Sequence, residues 1–160
     1  MSSDSLDKGF IICIDDEPSV IYALKEQLSD FLGSSYEVMG CESGEEAMEL
    51  INTLEADGMI IEMVITDQMM PGMKGDELLK VIHQRLPNTI KIMLTGQAGL
   101  QSAISAVNEG GISRFYEKPW DIQELGADIK QLLSQFEENR DSQRLIKDLE
   151  KRILDLESKG

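Results

Sequence analysis

Five side chains in this sequence are of types that could do chemistry together: the doublet Asp15 and Asp16, then Asp67, Thr95 and Lys118. Three carboxylates held close repel one another, at a cost on the order of a few kcal/mol for a close pair. Such a cluster persists most easily around a divalent cation. Oxygen ligands with no His or Cys beside them favour Mg²⁺, or Mn²⁺, over zinc. Mg²⁺ in turn commonly bridges carboxylates and phosphate, and a carboxylate can attack phosphorus to give an aspartyl phosphate. A lysine ammonium and a threonine hydroxyl suit the charge that develops on the transferring group. The chemistry of the set is Mg²⁺-assisted capture of a phosphoryl group on an aspartate, provided the fold brings the five together.

The elements between these residues say that it does. Phe10–Ile14, Tyr36–Cys41, Ile60–Thr66, Ile90–Leu94 and, more weakly, Ser113–Tyr116 are short apolar runs that read as strands. Amphipathic stretches alternate with them. Val20, Leu24, Leu28 and Phe31 follow Pro18, and Ala47, Leu50, Ile51 and Leu54 follow a Ser43-Gly44-Glu45-Glu46 capping signature. Leu78, Leu79, Ile82 and Leu86 form a third stripe, Leu100, Ile104 and Val107 a fourth, and Leu125, Ile129, Leu132 and Phe136 a fifth. Five strands alternating with five helices imply an α/β fold, a five-stranded parallel sheet doubly wound by helices. In that architecture the functional crevice lies outside the carboxyl ends of the strands. Asp15 and Asp16 follow the first run, Asp67 the third, Thr95 the fourth and Lys118 the fifth.

In this order, with intervals of 51, 28 and 23 residues from Asp16 through Asp67 and Thr95 to Lys118, the set resembles the receiver domain of bacterial two-component response regulators. Asp67 stands in Thr66-Asp67-Gln68-Met69-Met70-Pro71-Gly72-Met73 with Gly75 following, and Pro119 follows Lys118. The resemblance covers roughly residues 8–136. It implies a flavodoxin-like (CheY-like) sheet of order 2-1-3-4-5, and phosphoryl transfer to Asp67 from a sensor histidine kinase or phosphotransfer protein. Asp16 would ligate Mg²⁺ directly and Asp15 mainly through water, with Asp67 and the backbone carbonyl of Met69 as further ligands. Thr95 would bond the phosphoryl oxygen on activation, Lys118 would pair with it, and the Lys118-Pro119 peptide bond would be cis. The aromatic switch position falls on Phe115, and Gly96 would leave the phosphoryl group accessible. Output would pass through the face made by the fourth helix, fifth strand and fifth helix.

Composition narrows the field further. The chain has 160 residues, 41% of them hydrophobic, enough for one core and a short appendage. Its 30 acidic and 15 basic residues leave a net charge of −15, which disfavours direct nucleic-acid contact. No apolar run nears the roughly 20 residues that span a bilayer, and the first residues lack the basic start of a signal peptide. Two cysteines, Cys13 and Cys41, make no disulfide framework, so a cytoplasmic protein with inert thiols is expected. His83 reads as a solvated helix residue, and Met69, Met70 and Met73 as packing residues.

Residues 1–7 read as an N-terminal tail, 8–136 as the receiver and 137–160 as a helical extension. Residues 1–136 carry 23 acidic and 9 basic side chains, whereas 137–160 carry 7 and 6. Residues 121–158 have no Gly after Gly126 and no Pro, which suits one long helix. Ile146, Leu149, Ile153 and Leu156 follow the a/d spacing of a coiled coil, with Arg152 at g opposite Glu157 at e of a parallel partner. That pattern points to a homodimer, through this helix and/or the face made by the fourth helix, fifth strand and fifth helix, and to a linker toward an output domain absent from this sequence.

Two other readings compete with the switch. Haloacid-dehalogenase-type phosphohydrolases need a second Asp two positions after the nucleophile, and here that position is Met69. A phosphorylation-independent scaffold would need only the dimerising tail.

Overall fold

All five apolar runs form strands: β1 (Gly9–Ile14), β2 (Tyr36–Cys41), β3 (Ile60–Thr66), β4 (Ile90–Thr95) and β5 (Arg114–Glu117). The helices are α1 (Pro18–Leu32), α2 (Gly44–Ala56), α3 (Gly75–Arg85), α4 (Gln97–Ala103) and α5 (Ile122–Lys159). The structure, a computed structural model, describes residues 8–103 and 111–159. Residues 1–7 of the expected tail, and Ile104 and Val107 of the fourth stripe, lie outside the described residues. The strands pair in the order β2-β1-β3-β4-β5, every pair parallel, as expected.

Helices cover both faces of this sheet, which is why β1 and β4 are buried along their whole length and, Lys91 and Thr95 of β4 apart, are apolar. One core joins Ala47, Ile51 and Leu54 of α2 to Leu78, Leu79 and Ile82 of α3, across Ile12, Ile14, Val64 and Met93. The other joins Leu24 and Leu28 of α1 to Leu125, Ile129 and Leu133 of α5, across Ile11, Met63, Ile65, Ile92 and Leu94. Two stripes are rotated slightly from expectation: Ile21 rather than Val20 is buried on α1, and Leu133 rather than Leu132 on α5. Ser43 caps α2 as its sequence indicates, its Oγ accepting from the Glu46 N–H at 3.1 Å. Cys13 and Cys41 belong to opposite cores, so no disulfide joins them, and burial pushes both thiols up to about 12.

Three polar residues depart from what the pattern suggests. His83 is half-buried rather than fully solvated: its Nδ1 is covered, and a Cβ on Gly111 would lie 2.4 Å from it. Lys91, 1% exposed within β4, donates through Nζ to the carbonyls of Thr89 at 2.6 Å and Leu86 at 3.0 Å. Burial lowers its ammonium to about 8.

Glu62 is the third. The register of β1 on β3 shifts between Phe10 (opposite Ile61) and Ile11 (opposite Met63), leaving Glu62 as the extra residue of a bulge. Its side chain is 1% exposed and its Oε1 has no hydrogen-bond partner. Gly9 leaves it room, since a Cβ there would lie 2.0 Å from Oε2. Burial first, then the charge of Glu137, push this carboxyl up to about 7 against the opposing pull of Arg140. The native state therefore holds the Glu62 proton more tightly than the unfolded chain does. The cost of ionising it builds as pH rises from about 4.5 to about 7 and is complete above. Glu62→Gln should stabilise the protein by on the order of 2 kcal/mol at pH 8 and by almost nothing at pH 4. Thermal melts at the two pH values check this; an equal gain at both would refute the assignment.

The last helix runs unbroken for 38 residues, about 57 Å at 1.5 Å per residue. Its last buried residue is Leu133, and every residue from Asp141 to Lys159 is exposed. The expected a/d positions Ile146, Leu149, Ile153 and Leu156 are between 48% and 70% exposed. No helix among the described residues is long and apolar enough to cross a membrane.

Candidate functional site

The parallel ladder continues one step past each strand, and this pins the chemistry-bearing residues. The Asp15 N–H donates to the Cys41 carbonyl at 3.1 Å, the Asp67 N–H to Ile14 at 2.9 Å and the Lys118 N–H to Thr95 at 2.8 Å. Asp15, Asp67, Thr95 and Lys118 are thereby gathered on one rim of the sheet, as the topology requires. Asp15 is 2% exposed and Asp67 6%, whereas Asp16 faces solvent.

Asp15, Asp16 and Asp67 each offer an oxygen within 4.8 Å of the others. Three carboxylate oxygens this close, with no nitrogen or sulfur ligand among them, are a donor set that would suit a hard divalent cation such as Mg²⁺. The Asp67 Oδ1 accepts from the Thr95 hydroxyl and from the Gln68 N–H at 2.8 Å. Lys118 Nζ lies 2.6 Å from Asp15 Oδ2 and 3.4 Å from Asp67 Oδ2. The bare cluster is thus relieved by an internal cation, a feature the repulsion argument alone leaves out. The Lys118-Pro119 bond is cis.

Two charges are tuned by this packing. Burial holds the Asp15 carboxyl above its ordinary range, although the Lys118 hydrogen bond and the Glu17 N–H, 2.9 Å from Oδ1, pull the other way. Burial alone would lower the Lys118 ammonium. The hydrogen bond and charge of Asp15, with a smaller part from Asp67, outweigh it and hold Lys118 above its ordinary value. Lys118 therefore stays charged beside the carboxylates.

Glycines set how close the neighbouring helices come. A Cβ on Gly75 would lie 2.1 Å from the Asp67 carbonyl oxygen, and one on Gly99 would lie 2.1 Å from Thr95 Oγ1. Only residues without side chains let α3 and α4 start so near the rim. Around Gly96 the space is open, as access to Asp67 requires. Phe115 is half-buried against the α2–α3 core. Met70 is buried, but Met69 is 48% exposed and does not pack as expected. Trp120 Nε1 donates to Gln27 Oε1 at 2.8 Å, tying the approach to α5 onto α1.

Sequence reasoning passed over Gln68, which is fully buried beside Asp67. A polar residue flanking a candidate nucleophile was the available signal. A cavity of about 410 Å³ lies elsewhere, between α5 and the amino end of β4, lined by Asn88, Ile90, Phe136 and Arg140 among others. It contains none of the acidic triad.

A doubly wound parallel sheet with three carboxylates, a threonine and a lysine on its carboxyl-end rim has the form of a signalling receiver. The chain matches the response regulator receiver domain over residues 11–130. It belongs to that family. It is 31% identical over 150 residues to the transcriptional regulatory protein FixJ of Bradyrhizobium diazoefficiens, covering 93% of this chain and 68% of that one. It is 30% identical over 135 residues to the DNA-binding transcriptional regulator NtrC of Klebsiella pneumoniae, covering 84% of this chain but only 27% of the relative. Among solved structures, the receiver domain of an HD domain-containing protein from Pseudomonas fluorescens Pf-5 is similar, with a TM-score of 0.73 and 30% identity over 84% of this chain and 93% of that one. A structure titled adenylate cyclase, from Rhodopirellula baltica, matches with a TM-score of 0.74 and 33% identity over 88% and 98% of the two chains. Receiver domains generally bind Mg²⁺ at an acidic pocket, and the all-oxygen triad here fits that ion.

Proposed function

We propose that this chain is a phosphorylation switch whose covalent site is Asp67. The observation that carries the reading is the convergence on one nearly buried carboxylate of the Thr95 hydroxyl, the Lys118 ammonium and the oxygens of Asp15 and Asp16. An Asp67 oxygen attacks the phosphorus of a phosphohistidine on a sensor kinase or phosphotransfer protein. A P–O bond forms as the P–N bond breaks, and the departing imidazole nitrogen keeps the electron pair and takes a proton. Lys118 and Thr95 stabilise the charge on the phosphoryl oxygens. Asp15, Asp16, Asp67 and the Met69 carbonyl would hold Mg²⁺, which supplies further charge neutralisation there. Apart from promoting its own phosphorylation and dephosphorylation, the domain is no enzyme in this reading.

Thr95, re-seated on the phosphoryl group, and Phe115 behind it would carry the change to the α4–β5–α5 face and along α5. The exposed Ile146, Leu149, Ile153 and Leu156 then form the seam of a parallel homodimer, with Arg152 facing the partner's Glu157. Leu149→Glu should shift the sedimenting species from dimer to monomer at micromolar concentration; an unchanged mass would remove the seam from the account. The long exposed helix suits a connection to an output module, the net charge of −15 disfavours direct nucleic-acid contact, and the free thiols of Cys13 and Cys41 suit a reducing cytoplasm.

Radiolabelled acetyl phosphate tests the switch. Label should enter with Mg²⁺, fail to enter with chelator, and be released by hydroxylamine, as acyl phosphates are. Rapid multiple turnover of phosphate monoesters would instead support a phosphohydrolase.

A further inference from the structure

Gln68 touches three parts of the domain that must move together if Asp67 is a switch. Its own N–H donates to Asp67 Oδ1 at 2.8 Å. Its side-chain Oε1 accepts from the Asp76 N–H in the first turn of α3 at 2.7 Å. Its Nε2 donates to Ser102 Oγ on α4 at 3.2 Å. The amide orientation is fixed by chemistry, because a backbone N–H can only donate and so must face the oxygen. Lys74, the N-cap of α3, makes no side-chain cap bond, so the Gln68 carboxamide does that work from outside the helix. Its backbone carbonyl also accepts from Gly75 at 3.1 Å.

Beside this, Gly99 of α4 packs directly on the Thr95 hydroxyl. Gly99 and Ser102 are three residues apart and share a helix face. Consequently α4 is held to the Asp67 carboxylate at two points: through Thr95 at Gly99, and through Gln68 at Ser102.

We propose that Gln68 is a positioning residue that reports the state of Asp67 to α4 through Ser102, in parallel with Thr95. This rests on the reading of Asp67 as phospho-acceptor. Hydrogen bonds to a carboxylate are roughly twice as strong as those to a neutral acceptor. Phosphorylation of Asp67 turns its carboxylate into an acyl phosphate whose carboxyl oxygens no longer carry the charge, so the Gln68 N–H loses about half of its hold on Oδ1. Because the side chain is fully buried, the Gln68 peptide cannot re-seat without shifting the carboxamide and its bond to Ser102.

Hydrogen exchange of the full chain over residues 97–103, before and after acetyl phosphate with Mg²⁺, tests the relay. Ser102→Ala removes the α4 arm and leaves the α3 cap intact. It should accept phosphate within about twofold of the native rate, exchange at least threefold faster over α4 at rest, and lose at least half of the phosphorylation-induced change. Ser102→Thr, which keeps the hydroxyl, should restore the native response. Native-like α4 exchange in Ser102→Ala, at rest or on phosphorylation, overturns the relay. If the native chain takes no phosphoryl group at all, the acceptor reading fails, and the resting comparison still decides whether Gln68 holds α4.

Discussion

Lys118→Met is expected to tighten Mg²⁺ binding roughly tenfold while abolishing the rapid phosphorylation of Asp67. The ammonium lies 2.6 Å from Asp15 and 3.4 Å from Asp67, so it and a divalent cation neutralise the same two carboxylates. Removing it leaves Asp15, nearly inaccessible to water, with no counter-charge, and the cation gains what the lysine gave up. The same change should lower the stability of the metal-free protein by about 2 kcal/mol, less than a fully buried pair because Lys118 is 19% exposed. The pH dependence follows from the raised lysine value. On the alkaline side the pair contributes fully below the ordinary lysine value of about 10.4 and is lost as pH rises through the higher folded one; on the acid side it is lost as the Asp15 carboxyl, itself held above its ordinary range, takes a proton. Titration calorimetry with Mg²⁺ measures the first effect; weaker binding in Lys118→Met would show that the lysine assists the ion rather than competing with it.

The second large effect belongs to Asp67→Ala. At a Mg²⁺ concentration a hundred times the dissociation constant, linkage stabilises the native chain by about 2.7 kcal/mol, several degrees of Tm. The variant should lose more than half of that gain. Repulsion alone implies that deleting Asp67 stabilises the metal-free protein. The structure sets against this the donors that Asp67 satisfies: the Thr95 hydroxyl, the Gln68 N–H and Lys118. A buried donor left without an acceptor costs about 1–3 kcal/mol. The metal-free variant is therefore expected within about 1 kcal/mol of the native chain, in either direction. Equal Mg²⁺ responses in the two proteins would count against Asp67 as a ligand.

The parts of the fold legible in the sequence are those where one physical pressure acts alone. Strands covered on both faces must be largely apolar, so Phe10–Ile14 and, with Lys91 as its one interruption, Ile90–Leu94 stand out. The chain order of a doubly wound sheet then placed Asp15, Asp67, Thr95 and Lys118 on one rim before any coordinates. Where several elements meet, the sequence was silent. Glu62 looks like an ordinary strand residue until it is found at the bulge opposite Phe10 and Ile11, buried in the space that Gly9 leaves. Lys91 looks solvated until the carbonyls around the end of α3 are found to receive it. Gln68 has no periodicity to mark it, since its role comes from α3 and α4 arriving on either side. Lys118 was assigned to the phosphoryl group, and only three-dimensional proximity reveals Asp15 as its nearer partner.

The account stands most directly on the mass of the intact protein after treatment with acetyl phosphate and Mg²⁺. The native chain should gain one phosphoryl group, and Asp67→Asn, which keeps the shape and the hydrogen-bond acceptor, should gain none. No added mass on the native chain, or an equal gain on Asp67→Asn, would contradict it.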